Sequence, residues 1–239
     1  MNKAIRAVLF DLDDTLLENN MDRFLKEYFS LLTPHVAHLV PPEKFTSALL
    51  HATYAMIQSD NPTITNQNAF IADFFPRVGL TAEKMMPLFD DFYAVQYGKL
   101  RSLTRPNPSA HAAIQAALDA GCDIIIATNP IFPETAIRQR MQWAGISDFP
   151  FKLITCYEVM HYAKPNSLYY REILQKIGRS PDECIMVGDD WVNDIVPAMK
   201  AKLQVFWVNT TTDSMNNLYT SARGTLAEFK GWFLRLHKQ

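Results

Sequence analysis

The chain has 239 residues, 48% hydrophobic and 20% charged, with 23 lysines and arginines against 25 aspartates and glutamates. That composition excludes a disordered, collagen-like or disulfide-stapled chain, and the length fits one large domain or a domain carrying an insert. A net charge of −2 and a pI near 6.3 exclude nucleic acid as a charge-driven partner.

The first apolar run is too short for a signal-peptide core and ends in acids. No stretch reaches the roughly 18 apolar residues of a membrane span. The expectation is a cytoplasmic protein with no membrane partner. Residues 5–10 are near-continuously apolar, the pattern of a strand buried on both faces.

Residues 18–101 contain no such run. Apolar side chains recur there at helical spacing: Phe24, Tyr28, Leu31 and Leu32; Phe45, Leu49 and Met56 after Pro41-Pro42; Phe70 and Phe74; Leu88, Phe92 and Val95. The spacing predicts an all-helical insert without strands. Residues 17–20 and 101–107 are its linkers and expected hinges, the second of them rich in proline and polar residues.

Four further strand-like runs follow, at 123–127, 151–155, 184–187 and 203–208. Between and after them, helices are predicted at 109–120, 134–144, 167–177, 193–202 and 226–237. Three of these stop at Gly121, Gly145 and Gly178. Strand and helix alternating in this way argue an α/β domain with a parallel sheet. Cys122, Cys156 and Cys184 form no C-x-x-C pair and read as buried free thiols.

Acids follow two of the apolar runs directly. Asp11-Leu12-Asp13-Asp14-Thr15 comes first, and ligands of open parallel sheets bind beyond the carboxyl ends of the strands. Two carboxylates this close repel unless a cation or a shared proton intervenes. A loop of solvated acids or a helix cap is the plainer alternative. The second cluster is Gly188-Asp189-Asp190-Trp191-Val192-Asn193-Asp194. Oxygen-only ligands suit Mg²⁺, while Asp190 and Asn193 read as helix-capping residues. Thr128-Asn129-Pro130 offers a hydroxyl and backbone N–H groups at a strand end leading to a helix, an anion site or a simple turn. Lys164, before Pro165 at an expected helix start, is a fixed positive charge or an ordinary surface lysine.

In this order, DLDDT, ATN, K-P and GDDWVND resemble the motifs of the haloacid dehalogenase superfamily of aspartyl-phosphate hydrolases, over residues 5–16 and about 105–210. The resemblance implies a Rossmann-like doubly wound core, residues 1–17 and 102–239, and a helical C1-type cap, residues 18–101. It implies that Asp11 is the nucleophile and that Asp13 is the general acid and base. Thr128, Asn129 and Lys164 would bind the phosphoryl group. Mg²⁺ would be held by Asp11, the Asp13 backbone carbonyl and Asp189, with Asp194 a ligand through water or an orienting group. Dehalogenases and phosphonate hydrolases of this superfamily lack the acid two residues after the nucleophile, so Asp13 favours a phosphatase of small phosphate monoesters. The alternatives are a phosphosugar mutase of the same superfamily or a catalytically silent phosphate-binding protein. His35, His38 and His161 carry no metal motif, and the aromatic side chains of residues 18–101 read as core.

Overall fold

The computed structural model describes residues 4–209 and 222–236. Strand β1 (Ala7–Phe10) has every residue buried, because alternate side chains feed two separate cores. Val8 and Phe10 join one, with α5 (Ala110–Asp119), α6 (Glu134–Trp143) and α9 (Leu226–Leu236); Ala7 and Leu9 join the other, with α7 (Ser167–Ile177) and α8 (Val196–Lys200). The remaining strands of the main sheet are β4 (Asp123–Ile126), β5 (Leu153–Ile154), β6 (Cys184–Gly188), β7 (Gln204–Val208) and β8 (Arg223–Gly224). Their order is β5-β4-β1-β6-β7-β8, and every pairing is parallel. The chain is therefore a doubly wound α/β fold. Strand β1 lies between β4 and β6, so residues after β1, β4 and β6 converge on one edge.

The long insert is helical: α1 (Met21–Val36), α2 (Pro42–Ile57), α3 (Asn66–Val78) and α4 (Ala82–Asp91), then a π-turn (Phe92–Gln96) and a 3₁₀ segment (Tyr97–Leu103). Phe24, Tyr28, Leu32 and Val36 form the buried stripe of α1; Phe45, Leu49 and Met56 belong to that of α2. The predicted stripe Leu88–Phe92–Val95 fails at its end, since Val95 is 58% exposed. The wider π-turn resets the register, and Tyr93 and Tyr97 turn inward instead.

The two linkers also differ from expectation. They pair as an antiparallel ribbon, β2 (Leu17–Asn19) with β3 (Thr104–Pro106). Three-residue strands carry too little pattern to be seen in a sequence. The insert lies against the sheet domain through Asn66, whose N–H donates to the Met160 carbonyl and whose Nδ2 donates to the Pro130 and Tyr162 carbonyls. All three cysteines are buried and unbridged. Among the described residues, no helix is long and apolar enough to cross a membrane. The predicted end of the last helix, His237, lies outside the described residues.

Candidate active site

Asp11 follows β1, and its backbone N–H donates to the Val187 carbonyl of β6. That bond holds the chain in sheet register one residue beyond the strand. Thr128 lies two residues beyond β4, and its carbonyl accepts from the hydroxyls of Thr155 and Tyr169 at 2.7 and 2.8 Å. Asn129 turns toward the chain itself, its Oδ1 accepting from the Lys164 backbone N–H at 3.1 Å. Helix α6 begins at Glu134, where the sequence predicts it, after Pro130 and Pro133, and the Glu134 N–H donates to the Glu158 carboxylate at 3.0 Å.

Lys164 is buried, and its Nζ donates to Asp11 Oδ1 and Asp194 Oδ1, each at 2.6 Å. Pro165 stands outside α7; the helix is capped by Asn166, whose Oδ1 accepts from the Leu168 N–H. A carboxylate oxygen from each of Asp11, Asp189 and Asp194 falls within one sphere of contact, all within 4.8 Å of one another. Asp189 accepts from the Thr15 hydroxyl at 3.0 Å, and its carbonyl accepts from Trp207 Nε1. Asp194, 1% exposed, also accepts from the Asp190 N–H. Asp190 is a capping residue as read, its carboxylate accepting from the Val192 and Asn193 N–H groups, whereas Asn193 is not a cap: it lies inside the turn and its Nδ2 donates to Asp190 Oδ2.

Burial dominates the electrostatics. It pushes Asp11 well above the usual carboxylate range against the pull of Lys164, and raises Asp194 in the same way. Burial and the neighbouring Asp194 push Asp189 up to about 7. Lys164 holds its proton well above its ordinary range, because Asp11 and Asp194 outweigh its own desolvation. Three carboxylates thus converge where Lys164 bonds to two of them. This all-oxygen donor set, deficient in positive charge, fits a hard divalent cation.

Asp13 does not join that cluster with its side chain. Its Oδ1 accepts from Asn19 Nδ2 at 2.8 Å, and its Oδ2 pairs with Arg140 Nη1. Arg140, on α6, is 1% exposed and sits over the Phe132 ring, 4.8 Å from its centroid. No motif marked Arg140. The available signal was periodicity, since Arg140 shares a helix face with Ala136, Ile137 and Met141, where an arginine is out of place. His161 Nδ1 lies 2.7 Å from the Glu172 carboxylate, and His35 Nε2 lies 3.1 Å from the Leu88 carbonyl oxygen.

The family model for haloacid dehalogenase-like hydrolases matches residues 5–201. Pyrophosphatase PpaX of Bacillus velezensis is 23% identical over 203 residues, 84% of this chain and 81% of that protein. Phosphoglycolate phosphatase of Vibrio vulnificus is 32% identical over 114 residues, 48% of this chain and 47% of that protein. Among solved structures, the 2-haloacid dehalogenase of Pseudomonas syringae pv. Tomato superposes with a TM-score of 0.63 at 17% identity, covering 97% of this chain and 99% of that one.

Proposed function

The chain belongs to the haloacid dehalogenase-like hydrolases, and on that premise we propose that it is a Mg²⁺-dependent phosphatase acting on a small phosphorylated molecule through an aspartyl-phosphate. The observation that carries the reading is the convergence of Asp11, Lys164, Asp189 and Asp194 at the edge of the sheet, with Asp13 beside it.

Asp11 attacks phosphorus, forming an O–P bond as the bond to the leaving oxygen breaks. Asp13, fixed between Asn19 and Arg140, gives its proton to that oxygen. It then takes a proton from water, which attacks the phosphoryl group, releasing phosphate and restoring the Asp11 carboxylate. Lys164 offsets the repulsion between an anionic nucleophile and a dianionic phosphoryl group, and Thr128 contributes a hydroxyl at the same edge. Asp11 and Asp189, with the Asp13 backbone carbonyl, are the residues that would hold Mg²⁺. Asp194, already bonded to Lys164 and to the Asp190 N–H, would orient them or bind through water. Bound there, the ion supplies charge neutralisation at the phosphoryl oxygens. An alkoxide leaving group needs a proton and a halide does not, so Asp13 separates this reading from dehalogenation even though the superposed structure is a dehalogenase.

We read residues 18–101 as a cap that covers the site and excludes water, moving on the linkers paired as β2 and β3. The names of the two relatives place pyrophosphate and phosphoglycolate first among substrates to test. Phosphate release is measured over these, sugar phosphates, nucleotides and p-nitrophenyl phosphate, with Mg²⁺ and with chelator. Mg²⁺-dependent release from at least one is expected. No release from any of them by folded, Mg²⁺-loaded protein would contradict the reading, and isomerised sugar phosphate without free phosphate would identify a mutase.

A further inference from the structure

Among the described residues, five buried side-chain polar atoms have no hydrogen-bond partner: Asn19 Oδ1, Asn66 Oδ1, Tyr97 OH, Arg140 Nε and Arg140 Nη2. Four of the five belong to residues around Asp13. Asn19 and Arg140 bond its carboxylate directly, and Tyr97 is an electrostatic neighbour of both Asp13 and Arg140. Buried polar groups are almost always paired, and a buried charged donor left bare is costly. A concentration of them at one carboxylate marks a place built for a missing partner.

The arrangement at Arg140 is specific. Nη1 is spent on Asp13, while Nε and Nη2 are both open. Those two nitrogens form the side-on edge of the guanidinium, which meets the two oxygens of a carboxylate or phosphate. The same edge is filled elsewhere in the molecule: Arg77 Nε and Nη2 donate to Asp73, and Arg179 Nε and Nη2 donate to Asp123. The helical insert supplies Tyr97, 0% exposed and stacked on Trp143, so an open hydroxyl from the insert and an open guanidinium edge from the sheet domain both lie beside the Asp13–Arg140 pair.

We propose that the Nε/Nη2 edge of Arg140 binds a second oxyanion of the substrate, on the leaving-group side of the ester, with the Tyr97 hydroxyl beside it. The inference rests on the phosphatase reading, in which Asp13 protonates the leaving oxygen. An anchor bonded to Asp13 therefore holds a group close to that oxygen. The substrate class is then a phosphorylated hydroxy acid or a compound with two phosphoryl groups, and uncharged alcohol phosphates are poor substrates.

Two matched pairs of probes test this and separate the two oxyanions: phosphoglycolate against its carboxamide, and ethylene glycol bisphosphate against its monophosphate. In the wild-type protein kcat/KM is expected to favour the doubly anionic member of at least one pair by about tenfold or more, the scale of a charged hydrogen bond. Arg140→Gln and Arg140→Met should bring that ratio to within about twofold of one, with Arg140→Lys between, because an ammonium cannot reproduce the fork. Wild-type ratios near one in both pairs overturn the inference and need no variant to fold. So does a ratio that survives in folded Arg140→Met. Preserved p-nitrophenyl phosphate hydrolysis with ratios near one removes only the Arg140 assignment. No turnover of any monoester removes the phosphatase reading and this inference with it.

Discussion

Asp189 keeps its proton to about pH 7 because it is buried beside Asp194. Between its ordinary value of 3.8 and about 7, the folded chain holds a proton that the unfolded chain has lost. Stability of the metal-free protein therefore falls as pH rises through that window. A cation reverses the trend, since it binds the ionised carboxylates and competes with the proton. Thermal melts should show Mg²⁺ at about 100 times its Kd raising the Tm at pH 8 by about 5–10 °C, and by much less at pH 5. Equal shifts at both pH values would count against Asp189 as a ligand. Asp13 makes a second residue-scale prediction. Asp13→Asn should lower kcat by about 10²–10⁴ for alkyl phosphates and by less for p-nitrophenyl phosphate, whose leaving group needs no proton. Losses independent of leaving-group pKa would contradict its acid role. The acids stood out as candidates because they follow apolar runs, whereas Lys164, nine residues beyond the run at 151–155, reads from the sequence as either a fixed charge or a surface lysine. Arg140 did not stand out, because one residue on the wrong face of a polar helix is a faint signal.

At the scale of elements, β6 ends in Gly188 for a reason of space. A Cβ there would fall 2.6 Å from Asp194 Cγ, inside a side chain already held by Lys164 and the Asp190 N–H. Gly188→Ala should cost about 1–3 kcal/mol of stability by overpacking and weaken Mg²⁺ binding by displacing Asp194. Denaturant melts and a metal titration check both, and an unchanged midpoint would contradict the close approach. Strands β1, β4, β6 and β7 were readable because burial on two faces writes near-uninterrupted apolar runs, whereas β5 is shorter than its run and the two-residue β8 carries no apolar pattern. Elements that break a simple period were not readable. The π-turns at Phe92–Gln96 and Trp191–Ile195 alter the helical register within five residues each.

At the scale of the molecule, the helical insert and the sheet domain meet over the sheet edge that carries the acids. An apolar cavity of about 150 Å³ lies between them, with Tyr28, Phe70, Tyr93 and Phe132 in its walls. Phe132 lines that cavity and carries Arg140 over its ring, so it joins the apolar seam to the surroundings of Asp13. The insert was legible as helical from its apolar spacing, but the face it turns to the sheet was not, since those contacts are set by the fold of both parts. The central claim is that Asp11 makes the bond to phosphorus. It is tested most directly by single-turnover phosphate release from the best substrate at saturating Mg²⁺, comparing wild type with Asp11→Asn. Release is expected from the wild type and none detectable from a folded Asp11→Asn protein. Comparable release by both would contradict the claim.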